Sequence, residues 1–153
     1  MKQRSEGYLY QPGQGELRWM GETSTRFLAT GALTQQAFTM VEEKAQKGES
    51  VPLHRHSADV ESFYVLEGEI SFFLGNQSGQ RTTAGGFVHI PAGIIHGFRI
   101  ESDYARYLIL TTPHHGEFYK AITLPTERAV IEDAVLARAC QEFGVEFVGP
   151  LPV

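Results

Sequence analysis

The chain has 153 residues, 42% of them hydrophobic, enough for one domain with a sizeable core. A net charge of −5 and a pI near 5.7 leave no basic footprint for nucleic acid or an anionic membrane, and no apolar run approaches the roughly 18 residues of a membrane helix. Cys140 stands alone, which excludes an internal disulfide, and Met1-Lys-Gln-Arg-Ser-Glu leads into no apolar signal core, so a soluble cytoplasmic protein is expected.

In chain order, Arg26–Leu28 and Phe38–Glu43 read as strands from their β-branched and aromatic content. Next comes Gly48-Glu-Ser-Val-Pro-Leu-His54-Arg-His56-Ser-Ala-Asp-Val-Glu61-Ser-Phe-Tyr-Val-Leu-Glu-Gly68. His54 and His56 are two apart, so on a strand both imidazoles point to one face and can converge on one ion. The short loop after His56 lets the next strand, Ser62–Leu66, bring Glu61 to the same point. Glu69–Leu74, Phe87–Ile90, Gly97–Ile100 and Ala105–Thr111 follow as strands, punctuated at Gly75-Asn76, Gly85-Gly86, Pro91 and Asp103. Within Gly85-Gly-Phe-Val-His-Ile-Pro91-Ala-Gly93-Ile-Ile-His96, strand pairing can supply His96 as a fourth ligand. Three neutral nitrogens and a carboxylate suit one divalent first-row transition metal (Fe, Mn, Co, Ni, Cu or Zn). About two positions of an octahedral ion then stay open for chemistry.

After Thr112-Pro113 the texture changes. Glu117–Ile122 can form a helical turn or two, and His114 and His115 read as solvated residues of a Pro-His-His-Gly turn. Glu127–Phe143 has helical period, with Ile131, Val135 and Ala139 on one stripe, Thr126 as N-cap and Gly144 as the stop; Cys140 is apolar filler on this helix. The organisation is all-β with a C-terminal α-helix: one domain over residues 1–153, a barrel core at about 26–112 and a helical segment at about 115–144.

Alternation extends the site outward. If Glu61 faces the cavity so does Phe63, and if His96 faces it so do Phe98 and Ile100. Phe72 takes the inward face of its strand, and Phe38 and Met40 share a face on an earlier one. Such a wall is aromatic and aliphatic, without inward lysine or arginine, and fits a small apolar aromatic better than a phosphorylated sugar.

The two histidine-bearing segments resemble the patterns of the cupin superfamily, G-x5-H-x-H-x4-E-x6-G and G-x5-P-x-G-x2-H-x3-N. Every fixed position matches except the last, where Ile100 replaces Asn. The resemblance implies a double-stranded β-helix, or jelly-roll, barrel. A narrower likeness, from about Arg26 to Pro152, is to the quercetin 2,3-dioxygenase-like monocupins. It rests on Phe27-Leu-Ala-Thr-Gly31, Pro52-Leu-His-Arg-His56, the segment from Glu61 to Gly68, Leu108-Ile-Leu-Thr-Thr-Pro113 and Phe143-Gly-Val-Glu-Phe-Val-Gly-Pro150. It implies a homodimer that cleaves the central ring of a flavonol with O2, releasing carbon monoxide, with His54, His56, Glu61 and His96 as metal ligands and Glu61 also as the catalytic base. Two other readings stay open: a metal- or small-molecule-binding cupin without catalysis, and a cupin isomerase, cyclase or dioxygenase acting on another enolisable substrate.

Overall fold

The computed structural model describes residues 6–152. Eleven strands and two helices follow one another as β1 (Glu16–Met20), β2 (Thr23–Ala29), β3 (Thr39–Gln46), β4 (Ser50–His56), β5 (Glu61–Glu67), β6 (Ile70–Leu74), β7 (Gln80–Thr82), β8 (Phe87–Ile90), β9 (His96–Ile100), β10 (Tyr104–Thr111), α1 (Pro113–Ala121), α2 (Asp133–Phe143) and β11 (Val145–Gly149). They form two antiparallel sheets, of order β1-β2-β3-β10-β5-β8 and β11-β4-β9-β6-β7. Period-2 alternation turns Val41, Ala45, Phe63, Val65, Tyr107 and Ile109 of the first sheet inward, against Phe72, Phe98 and Ile100 of the second. The rings of Phe63, Phe72 and Phe98 interlock at centroid separations of 5.1–5.6 Å. Burial of each such side chain contributes roughly 1.5–3 kcal/mol.

Motif glycine Gly68 closes the turn from β5 to β6 at φ 90°, where a Cβ would lie 2.4 Å from the Tyr104 carbonyl oxygen. The seven expected strands fall in β2, β3, β5, β6, β8, β9 and β10, while β1, β7 and β11 carried no such expectation. Of these, β11 matters most. It lies beside β4, with Val145 opposite His56 and Phe147 opposite His54.

The helices depart from expectation in both directions. Helix α1 starts earlier than Glu117: the Thr112 hydroxyl accepts from the His115 amide at 3.0 Å, and Pro113 takes the first helical position, where its missing N–H costs nothing. Helix α2 starts later than Glu127, with Glu132 rather than Thr126 at its N-cap, and ends at Gly144. Arg128 has φ 61°, which no α-helix tolerates, and the Ala129 carbonyl is used by the Gly21 amide at 2.9 Å. Ile131 therefore precedes the helix. Ala139 is the buried residue of α2, with Val135, Leu136, Cys140 and Phe143 half-buried around it. No helix among the described residues is long and apolar enough to cross a membrane.

Candidate metal centre and cavity

Strand β4 presents His54 and His56 to the interior, and β9 sets His96 opposite His54. The three rings gather with centroids 4.2–5.1 Å apart, and one potential donor atom from each lies within 4.8 Å of the others. His54 Nδ1 lies 2.7 Å from the Pro52 carbonyl and His96 Nδ1 2.9 Å from that of Ile94. A carbonyl only accepts, so in both rings Nδ1 carries the proton and Nε2 keeps its lone pair. His96 Nε2, His56 Nδ1 and His115 Nδ1 are buried without a hydrogen-bond partner, a costly state for a polar atom that has nothing else to bind. Burial, joined by the neighbouring His96, lowers the His54 pKa to about 4. Burial also lowers that of His56 to about 3, against the opposing pull of Glu61. At neutral pH both are uncharged, as ligands must be. This buried cluster can bind a metal ion.

Glu61, first residue of β5, is 4% exposed. Its Oε2 accepts from the Tyr119 hydroxyl at 2.7 Å and lies 3.1 Å from His115 Nε2; His56 Nε2 and His96 Nε2 stand 3.9 Å from the carboxylate. Burial pushes the carboxyl pKa up, but the hydrogen bond and charge of His115 outweigh it and hold Glu61 well below the usual carboxylate range. Two triads thus share His56: His54–His56–His96, and His56–Glu61–His115.

His115 is the residue the sequence reading missed. It is 1% exposed, not solvated, and its ring stacks on Phe118 and lies 4.0 Å, centroid to centroid, from that of His56. A signal was present. Thr112-Pro113 opens a helix, and His115, Phe118, Tyr119 and Ile122 then recur at i, i+3, i+4 and i+7, one face of it. His114 has a partner as well. Buried Asp59, in the loop between β4 and β5, accepts from the Thr112 hydroxyl at 2.6 Å and meets His114 Nδ1 at 2.9 Å, clasping the start of α1 to the site. Those two bonds overcome burial and lower the Asp59 pKa. His89 faces outward, 2.8 Å from the Ser62 hydroxyl.

A cavity of about 890 Å³ opens beside the histidines, and Phe63, Phe98 and Ile100 line it as alternation required. Phe72 does not; it packs behind Phe63 and Phe98 in the core. Phe38 and Met40 do not either. The parity of β3 runs the other way: Thr39, Val41 and Ala45 are its buried residues, Phe38 is 37% exposed, and Met40 pairs with exposed Leu110. Other apolar walls come from Ile109, Phe118, Ile122, Leu136 and Phe147, so α1, α2 and β11 complete what the strands begin. Among the described residues no lysine or arginine lines the cavity.

Two antiparallel sheets around a histidine- and glutamate-lined cavity define a small barrel whose interior can hold a metal ion. Residues 41–111 match the family model for the cupin domain, and this match together with the likeness to a quercetin 2,3-dioxygenase supports a quercetinase-like monocupin. Over 121 residues it is 29% identical to quercetin 2,3-dioxygenase of Bacillus subtilis (strain 168), covering 78% of this chain and 36% of that protein. The chain therefore spans about a third of the length of that relative. Among solved structures, KdgF from Halomonas sp. superposes with TM-score 0.63 at 16% identity, over 71% of this chain and 94% of its own. An RmlC-like cupin from Shewanella frigidimarina gives 0.64 at 20%, over 77% and 99%. The polyketide cyclase RemF from Streptomyces resistomycificus gives 0.55 at 21%, over 81% and 80%. At these identities the likeness concerns the fold.

Proposed function

We propose that the protein is a metal-dependent dioxygenase that opens a flavonol or a comparable apolar enolisable aromatic with O2. One observation carries the reading: three clustered buried histidines and an ionised, buried carboxylate meet beside a largely apolar cavity. His54, His56, His96 and Glu61 would hold one divalent first-row metal, with His115 within reach of the same carboxylate. Such an ion supplies Lewis acidity toward a substrate hydroxyl and redox access to dioxygen. The remaining work falls to the chain. The Glu61 carboxylate accepts the proton of the substrate hydroxyl, Tyr119 and His115 hold it in position through Oε2, and Phe63, Phe98 and Phe118 orient the ring and exclude water. The same reading includes a homodimer, with exposed Tyr64, Phe87 and Leu110 on the outer face of β5, β8 and β10 as the surface to be covered.

The test is oxygen uptake by metal-loaded protein with a flavonol. His54→Ala should lose metal and turnover together. Glu61→Gln, which keeps size and one coordinating oxygen, should retain more metal than activity, with turnover down about 10²–10⁴-fold. A fully metallated wild-type protein that consumes no enolisable aromatic would overturn the dioxygenase reading in favour of a binding protein. Wild-type turnover in fully metallated Glu61→Gln would leave Glu61 as a ligand only.

A further inference from the structure

Beyond Glu61, a second carboxyl group reaches this cavity. Glu43 lies on β3 directly opposite Tyr107 of β10, while Glu61 lies opposite Thr111 of the same strand. Four residues of β10 separate the two levels, about 13 Å along the strand. Between them the wall is apolar, built from Phe63, Ile109 and Phe98. The cavity is thus polar at both ends and greasy in the middle.

The Glu43 end is built for hydrogen bonding. Its Oε2 accepts from the Thr25 hydroxyl at 2.6 Å and its Oε1 from the Tyr107 hydroxyl at 3.0 Å, which fixes the carboxyl plane. Each oxygen retains a second acceptor position, and the surface Glu43 keeps is on the cavity lining. Glu49 lines the same end, its Oε1 accepting from the Thr23 hydroxyl at 2.5 Å. With no lysine or arginine lining the cavity among the described residues, nothing there neutralises an incoming anion.

We propose that Glu43 is a specificity-determining residue whose carboxyl receives a hydrogen bond from the far hydroxyl of the substrate, so that the cavity selects a neutral, elongated aromatic hydroxylated at both ends. The inference rests on the cavity being the substrate site and adds the substrate class. Burial pushes the Glu43 pKa up to about 7, against the two hydroxyl bonds, so near neutral pH part of the population offers an uncharged carboxyl that is cheap to enclose beside an aromatic.

The experiment is anaerobic calorimetric titration of metal-loaded protein with 3-hydroxyflavone, its 4′-hydroxy derivative and its 4′-carboxylate. Working without oxygen separates this proposal from the dioxygenase reading, which stands or falls on oxygen uptake. Wild type should bind the 4′-hydroxy compound about 10-fold tighter than the parent, the scale of one hydrogen bond, and the carboxylate most weakly. Glu43→Leu should bring the hydroxyl preference close to one and should improve binding of the carboxylate. Glu43→Gln, nearly isosteric and still an acceptor, should keep part of the preference and serves if the leucine variant fails to fold. A wild-type protein that binds none of the three, or binds them alike, overturns the proposal, as does a preference that survives in a folded variant of either kind undiminished.

Discussion

The two helices make opposite uses of their place on the barrel. Helix α1 is short and polar, yet it buries His115, Gly116, Phe118 and Tyr119 and delivers two groups to Glu61. Helix α2 is longer and more evidently amphipathic, yet buries Ala139 alone and sends only the edge of Leu136 to the cavity. Amphipathic period marks a helix that covers; it says little about which helix reaches the chemistry. Helix α1 is held by specific polar contacts at its start, through Asp59 and Thr112, whereas α2 is held by modest apolar contact along its length.

If that contrast is right, the largest effect should come from His115→Ala. Glu61 would keep Tyr119 but lose the imidazole that lies 3.1 Å from its Oε2, and turnover of metal-loaded enzyme should fall about 100-fold, about 2.7 kcal/mol of barrier. Parallel metal analysis will show whether the loss tracks metal content; unchanged turnover would reduce α1 to scaffolding. Gly116→Ala comes next. Its Cβ would sit 2.1 Å from the Thr39 hydroxyl and 2.8 Å from its methyl, inside a fully buried contact between α1 and β3, so denaturant unfolding should show about 1–3 kcal/mol of destabilisation. Tyr119→Phe removes one bond to a carboxylate and should slow turnover about 10-fold with little change in KM.

Asp59→Asn should cost about 1 kcal/mol at neutral pH. A carboxyl whose folded pKa is depressed contributes stability above its unfolded value of 3.8 and loses it as pH falls through the lower folded value. The gap between wild type and variant should therefore close in acid; a gap that widens there would contradict the clasp. Val135→Asp should be the mildest, about 1 kcal/mol by thermal unfolding, because the side chain is only half-buried and its new charge can reach water. A loss of several kcal/mol would mean α2 packs as tightly as α1.

The contrast also explains what could be read from the chain. His54, His56, Glu61 and His96 were legible because strand period is short and the turns between them are marked by glycine and proline, so spacing alone sets their direction. Phe63, Phe98 and Ile100 followed from the same parity, counted from a neighbour of known direction. Phe38 and Met40 had no such reference, and the parity of β3 was taken the wrong way round. The true inward set includes Glu43, a charge that composition alone would place outside. His115 escaped because Pro-His-His-Gly looks like a turn; its burial is decided by the clasp from Asp59, more than fifty residues upstream. The start of α2 escaped because the backbone at Arg128 answers to a strand-end hydrogen bond at Gly21 rather than to local period.

Strand β11 has a consequence for the order in which the site comes into being. Arg55 of β4 and Glu146 of β11, joined by an ion pair at 2.8 Å, lie 91 residues apart. At a synthesis rate of about 5–20 residues per second, roughly 5–20 s pass between the emergence of the two strands. Until β11 arrives, the outer edge of β4 is an open template for any extended chain, and His54 lacks the Phe147 ring that stands 5.3 Å from it. The nascent protein thus displays two adjacent imidazoles on an unguarded strand well before it can enclose them.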